Sequence, residues 1–402
     1  MKNSSTFTIS WLHSWSGLLF GWLLFAVFLT GTLTVFNNEI TAWMQPELQE
    51  VTWDAGDSHE AAFHLMEVAW RGDPEERVLP AGGATILQVK LQDRRTFSGQ
   101  TIDPVTGELV TFRDTQGGDF FYHFHYGLLA GWPGAWMVGA AAIAMILTLV
   151  TGLGIHRRIS TDVLAFRSWS LSHRAWVDIH NLTGMLVLPF HLMMTVTGLI
   201  IFWTIYMPVE APFSASEQII SLVSLLHFVR FGGSTMRWLY FVMGLLASGV
   251  IATGLVLWTG KRCKYYAGRT LGIGVVEILN VAAMGGLLVA IAVFFWANRL
   301  LPTSLIDRSL WEIRCFFLAW CLCLVHSCFR TGSLFAWKDQ LYGAAILLGC
   351  LPLLNGLTTK SHLLMTVPRG QWALAAVDLT ALVAGTLLAA TARRIGQAAR
   401  TK

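Results

Sequence analysis

Eight apolar runs decide what this chain can become. Stretches at about 11–36, 133–155, 177–204, 237–259, 273–296, 311–329, 337–357 and 372–392 each approach the roughly 20 apolar residues that cross a bilayer as a helix. Backbone groups must pair internally inside lipid, so runs of this length predict a mainly α, polytopic membrane bundle of about eight helices. Composition agrees, since 54% hydrophobic residues and 18 Trp among 402 leave too much apolar surface for a water-soluble globule. The first run is about 26 residues long and has no small-residue cleavage site before "NNEITAW", so it is expected to stay in the mature chain.

Four parts follow from this pattern: the first span at 1–36, an extramembrane insert at 37–122, spans two to four at 123–260, and spans five to eight at 261–402. Lys and Arg set the orientation. With the N-terminus inside, the inner segments hold 15 of the 28 bases and the three short outer loops hold seven. The other six lie in the long insert, and long translocated segments are largely exempt from the positive-inside rule. Both termini are therefore expected in the cytoplasm. The insert carries 15 of the 24 acids against its six bases, so the basic balance belongs to the membrane part and its inner loops, and nothing points to nucleic acid.

Within the insert, "SHEAAFHLMEVAW" at 58–70 has helical apolar spacing. "ATILQVKLQ" and "TFSGQTIDPVTGELVTF" alternate as strands do, the latter around a Pro/Gly turn at Asp103 to Glu108. A small α+β domain is predicted. His59 and His64 share no helix face well and read as surface or packing residues. The six cysteines show neither a C-x-x-C-H haem attachment nor paired metal spacing, and read as small buried hydrophobes.

The spans repeat. His13, Gly17, Thr30 and Gly31 match His180, Gly184, Thr197 and Gly198 at a constant offset of 167, while His125, Thr151 and Gly152 match His227, Thr253 and Gly254 at 102. Spans one and two and spans three and four are therefore read as parallel repeats, related by an axis along the membrane normal. His13 and His180 fall at the inner end of their spans. His125 and His227 precede Thr-Gly by 26 residues, roughly 39 Å of helix, which exceeds the membrane core and places them at the outer mouth. Breakers follow each, "GWPG" at 131–134 and "FGG" at 231–233.

Imidazoles in hydrocarbon are costly and mark function when they face the bundle interior. Opposed pairs on separate helices suit six-coordinate b-type haem, one imidazole on each side of the iron, and two levels imply two haems. Gly17 and Gly184, one turn after their histidines, would leave room for a flat macrocycle, and the Thr-Gly pairs would either do likewise or let helices approach closely. The alternative is that duplication preserves packing histidines. His191 lies 11 residues after His180, on the same face and roughly 16 Å away, and is a further candidate ligand paired with His125 or His227, or a polar contact or proton carrier. Its counterpart in the first repeat is Leu24. His123 is an alternative ligand or an interfacial residue. His156 and His173 read as inner-loop residues among arginines, and His326 and His362 have no repeat partner.

"HSWSGLLFGWLLFAVFLTG", "FHYGLLAG", "WVDIHNLTGMLVLPFHLMMTVTGL", "LHFVRFGG" and "DPVTGE" together resemble the PepSY-associated transmembrane proteins of Gram-negative bacteria, which include inner-membrane ferric-siderophore reductases. The resemblance covers roughly residues 8–260. It implies a periplasmic PepSY-like domain and haem b held by His13, His125, His180 and His227, with His191 as a further position. It also implies one-electron reduction of a periplasmic ferric siderophore that releases Fe(II). Residues 270–402 carry no matching motif and read as an additional bundle.

The inner loops are too short for a flavin or nicotinamide domain, and no dinucleotide fingerprint follows a strand, so electrons are expected from quinol or a separate reductase. Two rival readings remain: a non-redox regulatory or assembly protein with packing histidines, and a transporter of the siderophore or its iron, which the repeats would suit.

Overall fold

The computed structural model describes residues 4–49, 77–80, 87–90, 101–102, 109–110, 112–155, 173–206, 217–266 and 270–400. The helices are α1 (Ser4–Thr34), α2 (Asn37–Met44), α3 (Asp119–Gly127), α4 (Gly131–Ile155), α5 (His173–Tyr206), α6 (Glu217–His227) and α7 (Gly233–Tyr265). They continue with α8 (Leu271–Asn280), α9 (Gly286–Leu300), α10 (Arg308–Phe329), α11 (Ser333–Thr358), α12 (Leu363–Thr366) and α13 (Trp372–Arg400). A π-helical turn, Val281–Gly285, fuses α8 and α9 into one span.

Among the described residues eight helices are long and apolar enough to cross a membrane: α1, α4, α5, α7, α8 with α9, α10, α11 and α13. All eight predicted spans are present, their ends shifted by a few residues. The end of the bundle that holds the start of α1 is called the terminal face, and the end from which the insert leaves is called the insert face; one crossing per helix would return the chain to the terminal face.

Helices α1, α4, α5 and α7 close a ring in which α1 and α5 each pack on both α4 and α7. The repeat is visible in its elements. In each half a long span is followed by a short helix ending at or near a histidine, α3 or α6, and then by a second span. Left-handed backbone separates short helix from span, at Leu128, Leu129 and Gly131 in one half and at Val229, Gly232 and Gly233 in the other. Glycine adopts this conformation without strain, and three of the positions, Gly131, Gly232 and Gly233, lie in the breakers read from the sequence. The break frees each short helix to lie across the mouth instead of lengthening its span.

The remaining helices form a second bundle, α9 packing on α10 and α11, and α11 on α13. It joins the ring through α1 and α7, and Leu18, Phe25 and Leu255 share one core with Leu287, Ala290 and Phe294. On the insert face, Phe120, Phe121 and Phe124 of α3 are buried against Phe294, Phe295 and Phe316, with Phe120 stacked on Phe294 at 4.3 Å between centroids. Aromatic pairs of this kind add about 0.5–1.5 kcal/mol each beyond area burial, so the second bundle anchors the helix that carries His125.

The insert contributes an antiparallel sheet of order β1-β2-β3-β4: β1 (Arg77–Pro80), β2 (Leu87–Lys90), β3 (Thr101–Ile102) and β4 (Leu109–Val110). Val78 pairs with Val89, and Ile102 with Leu109. The strands expected in "ATILQVKLQ" and on both sides of the Pro/Gly turn are present. β1 was not singled out in the sequence. The helix expected at 58–70, the turn at Asp103 to Glu108, His59, His64 and His156 lie outside the described residues.

Candidate functional site

The ring brings four histidines together as two opposed pairs. On the terminal face His13 of α1 meets His180 of α5, ring centroids 6.4 Å apart; on the insert face His125 of α3 meets His227 of α6 at 6.2 Å. Each pair therefore joins equivalent positions of the two repeats.

A second set of contacts fixes which nitrogen each ring presents. His13 Nδ1 lies 2.9 Å from the Thr148 carbonyl, His125 Nδ1 2.8 Å from the Val27 carbonyl, and His180 Nδ1 3.1 Å from the Val250 carbonyl and 3.0 Å from the Thr253 hydroxyl. A carbonyl only accepts, so these three Nδ1 atoms are donors. His227 Nδ1 is 2.9 Å from the Thr197 hydroxyl, which itself donates to the Met193 carbonyl at 2.7 Å. The hydroxyl proton is thereby committed, and His227 Nδ1 is a donor too. All four imidazoles carry their proton on Nδ1 and their lone pair on Nε2, the arrangement that orients a metal-binding histidine through its outer hydrogen bond.

The Thr-Gly pairs, which the sequence left open, are the seats of these rings. A Cβ on Gly152 would lie 3.1 Å from the His13 ring, on Gly254 3.2 Å from His180, on Gly198 3.1 Å from His227 and on Gly31 2.5 Å from His125. The threonine before each glycine bonds back to its own helix: Thr30 to the Val27 carbonyl, Thr151 to Thr148 and Thr253 to Val250, the same carbonyls that accept the histidines. Glycine thus removes the side chain that would block the imidazole, and threonine frames the acceptor. At Gly17 and Gly184 an added Cβ would meet Thr148 at 4.0 Å and Val250 at 3.7 Å, ordinary van der Waals contacts, so neither glycine seats a ring as the Thr-Gly steps do.

A metal that takes one Nε2 from each side at about 2 Å puts the two ring centroids roughly 6.3 Å apart. Both pairs have this separation, and both offer neutral nitrogen donors. Burial pushes the His125 imidazole below the ordinary histidine range. Burial, and then the neighbouring His125, bring His227 down to about 3. A cavity of about 700 Å³ adjoins the insert-face pair, bounded by Phe28, Gly31, Gly198, His125, His227 and Arg230. The residues present therefore suit a flat, mostly apolar group with a central metal.

His191 is not opposed to another imidazole, because His125 and His227 take each other. It is fully buried, edge-on to Phe28 at 5.0 Å between centroids, and among the described residues neither ring nitrogen has a hydrogen-bond partner. His123 stands between Tyr122 and Tyr126 and belongs to neither pair. Cys321 and Cys328 are exposed and the other four cysteines half-buried, which corrects the expectation that all six sit in the core.

The second bundle holds a polar cluster that sequence reading missed. Arg308 and Glu312 are fully buried and 2.6 Å apart; Glu312 also accepts from Thr115 at 2.6 Å and Asn298 at 2.8 Å. Arg113 pairs with Glu47 at 2.7 Å and reaches the Asn298 carbonyl. Asp378 accepts from Trp43 and Asn355, while Arg299 bonds Asn355, Asn298 and the Trp43 carbonyl. The cluster grips both chain segments that flank the insert. Charged residues four apart at the start of an apolar run, Arg308 and Glu312, were its one local signal.

Eight membrane-length helices, four of them in a ring around two facing histidine pairs, define a polytopic helical membrane protein built on a duplicated two-span unit. The family model of the PepSY-associated TM region matches residues 10–218 and 208–261, more than half the chain, and the protein belongs to that family. The match runs from within α1 to near the end of α7, takes in His13, His125, His180, His191 and His227, and stops before the second bundle. No curated protein matches the chain.

Proposed function

We propose that the protein is an inner-membrane b-type haem protein that carries electrons across the bilayer to a periplasmic ferric siderophore and releases Fe(II). His13 with His180 would hold one haem, and His125 with His227 the other. The observation that carries this reading is the fourfold recurrence of one arrangement: an imidazole seated on a Thr-Gly step, Nδ1–H engaged, and an opposite imidazole near 6.3 Å. When bound, each haem supplies an iron that accepts and passes on a single electron.

The chain's own residues do the positioning. Backbone carbonyls and Thr197 hold the four rings in one tautomer, and Phe28, Phe190 and Phe202 contribute to the wall of the cavity beside the insert-face pair. Arg230, at the rim of that cavity over the Phe228 ring, presents a cation where an anionic chelate would approach. In this reading the termini and the His13–His180 pair face the cytoplasm, as the Lys and Arg distribution favours. The insert is then a periplasmic α+β PepSY-like domain. The donor, a quinol or a separate reductase, meets the terminal face. Reduction loosens the chelate because hard oxygen donors hold Fe(III) far better than Fe(II).

The purified protein is expected to show a sharp Soret band and reducible α-bands. His13→Ala or His180→Ala should remove part of that spectrum, and His64→Ala should leave it whole. A colourless preparation from haem-replete cells would sink the reading.

A further inference from the structure

His191 poses a problem that the two pairs leave unsolved. Leaving buried polar atoms without hydrogen bonds costs about 1–3 kcal/mol, and its equivalent in the other repeat, Leu24, fills the corresponding place as a buried hydrocarbon. The fold therefore does not need an imidazole here. The placement is also central. On α5, His191 is seven residues before Gly198, the seat of His227. Across the interface its ring faces Ala247 of α7, whose carbonyl approaches without hydrogen-bond geometry, seven residues before Gly254, the seat of His180. Seven residues of helix are roughly 10 Å, so His191 stands between the two levels, roughly 10 Å from each glycine seat and roughly 16 Å along α5 from His180. Phe28, which touches it, also lines the insert-face cavity.

Among the described residues, the ring helices hold no other side chain between the two levels that can take up charge. From His13 to Gly31, α1 has no ionisable side chain; α4 has none along its length; α5 has only His191 between His180 and Gly198. On α7 the interval from Phe241 to Gly254 has none, and Tyr240 at its edge donates its hydroxyl to the Leu226 carbonyl. An electron delivered into an interior of low dielectric is costly unless a positive charge accompanies it. Among the described residues of the four ring helices, His191 is the one side chain between the levels able to supply that charge.

We propose that His191 is a redox-linked proton acceptor for the paired sites. This rests on the haem reading above. When a site gains one electron from the quinol or reductase, one proton from the aqueous phase goes to a ring nitrogen of His191. When the electron passes to the ferric substrate, that proton is released, so charge in the interior stays balanced. His191 acts through the neighbouring sites and is a positioning residue, touching no substrate.

The test is spectroelectrochemical titration of the haem-loaded protein between about pH 5.5 and about pH 8.5, the range in which imidazole titrates. At least one reduction step should move to lower potential as pH rises, approaching about 59 mV per unit, the one-electron equivalent of a tenfold change in proton activity. His191→Phe, His191→Met and His191→Gln, none of which holds a proton in this range, should flatten that slope with spectrum and haem content kept. A haem-loaded wild type whose potentials ignore pH overturns the inference and leaves the haem reading standing, as does a slope that survives all three substitutions. Loss of one haem in these variants would overturn it in favour of axial ligation by His191. A colourless wild type removes both readings together.

Discussion

Gly31 lies so close to His125 that a methyl group on its Cα would sit 2.5 Å from the imidazole Nδ1, whereas at Gly152, Gly198 and Gly254 the nearest ring atom would be 3.1 to 3.2 Å away. A few tenths of an ångström can be absorbed by a small shift of the ring, but 2.5 Å cannot. Gly31→Ala is therefore expected to displace His125 and to cost about 1–3 kcal/mol, the usual range for an overpacked interior. Gly254→Ala should cost less. Thermal unfolding in detergent and haem content per chain give the order. Equal effects at the two positions would show that the seats are not graded as the geometry implies.

The outer hydrogen bonds make a second comparison possible. His227 relies on the Thr197 hydroxyl, while His180 has both the Thr253 hydroxyl and the Val250 carbonyl. Thr197→Val should loosen the orientation of His227 and lower haem affinity at the insert-face pair by about 10–100-fold, as losses of such partners do. Thr253→Val should change affinity at the terminal-face pair much less, because the carbonyl remains. Titration of haem into the stripped protein measures both.

How much of this arrangement could be read from sequence depends on whether one helix or several defined it. Depth along a single helix is legible, since a fixed rise per residue turns the interval from His13 to Thr30 into distance; that arithmetic placed the four histidines at two levels. Which neighbour fills the space beside a glycine is a property of two helices, and so Gly31 as the seat of His125 was invisible, although both residues were already marked. The π-helical turn at Val281–Gly285 left no signal in a run that is apolar throughout. The cluster from Glu47 through Asn298 and Glu312 to Asp378 was hidden for the same reason: apart from Arg308 with Glu312 and Asn298 with Arg299, its members are far apart in sequence and meet only when several elements pack.

Orientation can be read from one thiol. Cys328 is exposed near the end of α10, on the terminal face of the bundle. With the termini in the cytoplasm, a membrane-impermeant maleimide should label Cys328 in inverted vesicles and spare it in intact spheroplasts. Cys328→Ser supplies the control, because Cys321 is also exposed but lies two turns deeper in the span. Labelling from the outside would reverse the assignment of donor and acceptor faces.

The buried pair Arg308 and Glu312 links the second bundle to the insert-face histidines. Glu312 accepts from Arg308, Asn298 and Thr115, and the residues from Arg113 onward lead directly into α3 and His125. Glu312→Ala leaves the guanidinium buried without its counter-charge, a change that typically costs about 3–5 kcal/mol. Glu312→Gln keeps a carbonyl acceptor and should cost less. Exchanging both residues at once, as Arg308→Met with Glu312→Leu, should recover part of the loss, because the desolvation penalty of both charges disappears with them. If the cluster serves to hold α3 in place, Glu312→Ala should also depress haem occupancy at the His125–His227 pair while sparing the His13–His180 pair. Stability loss shared equally by the two pairs would instead make the cluster a general brace for the membrane part.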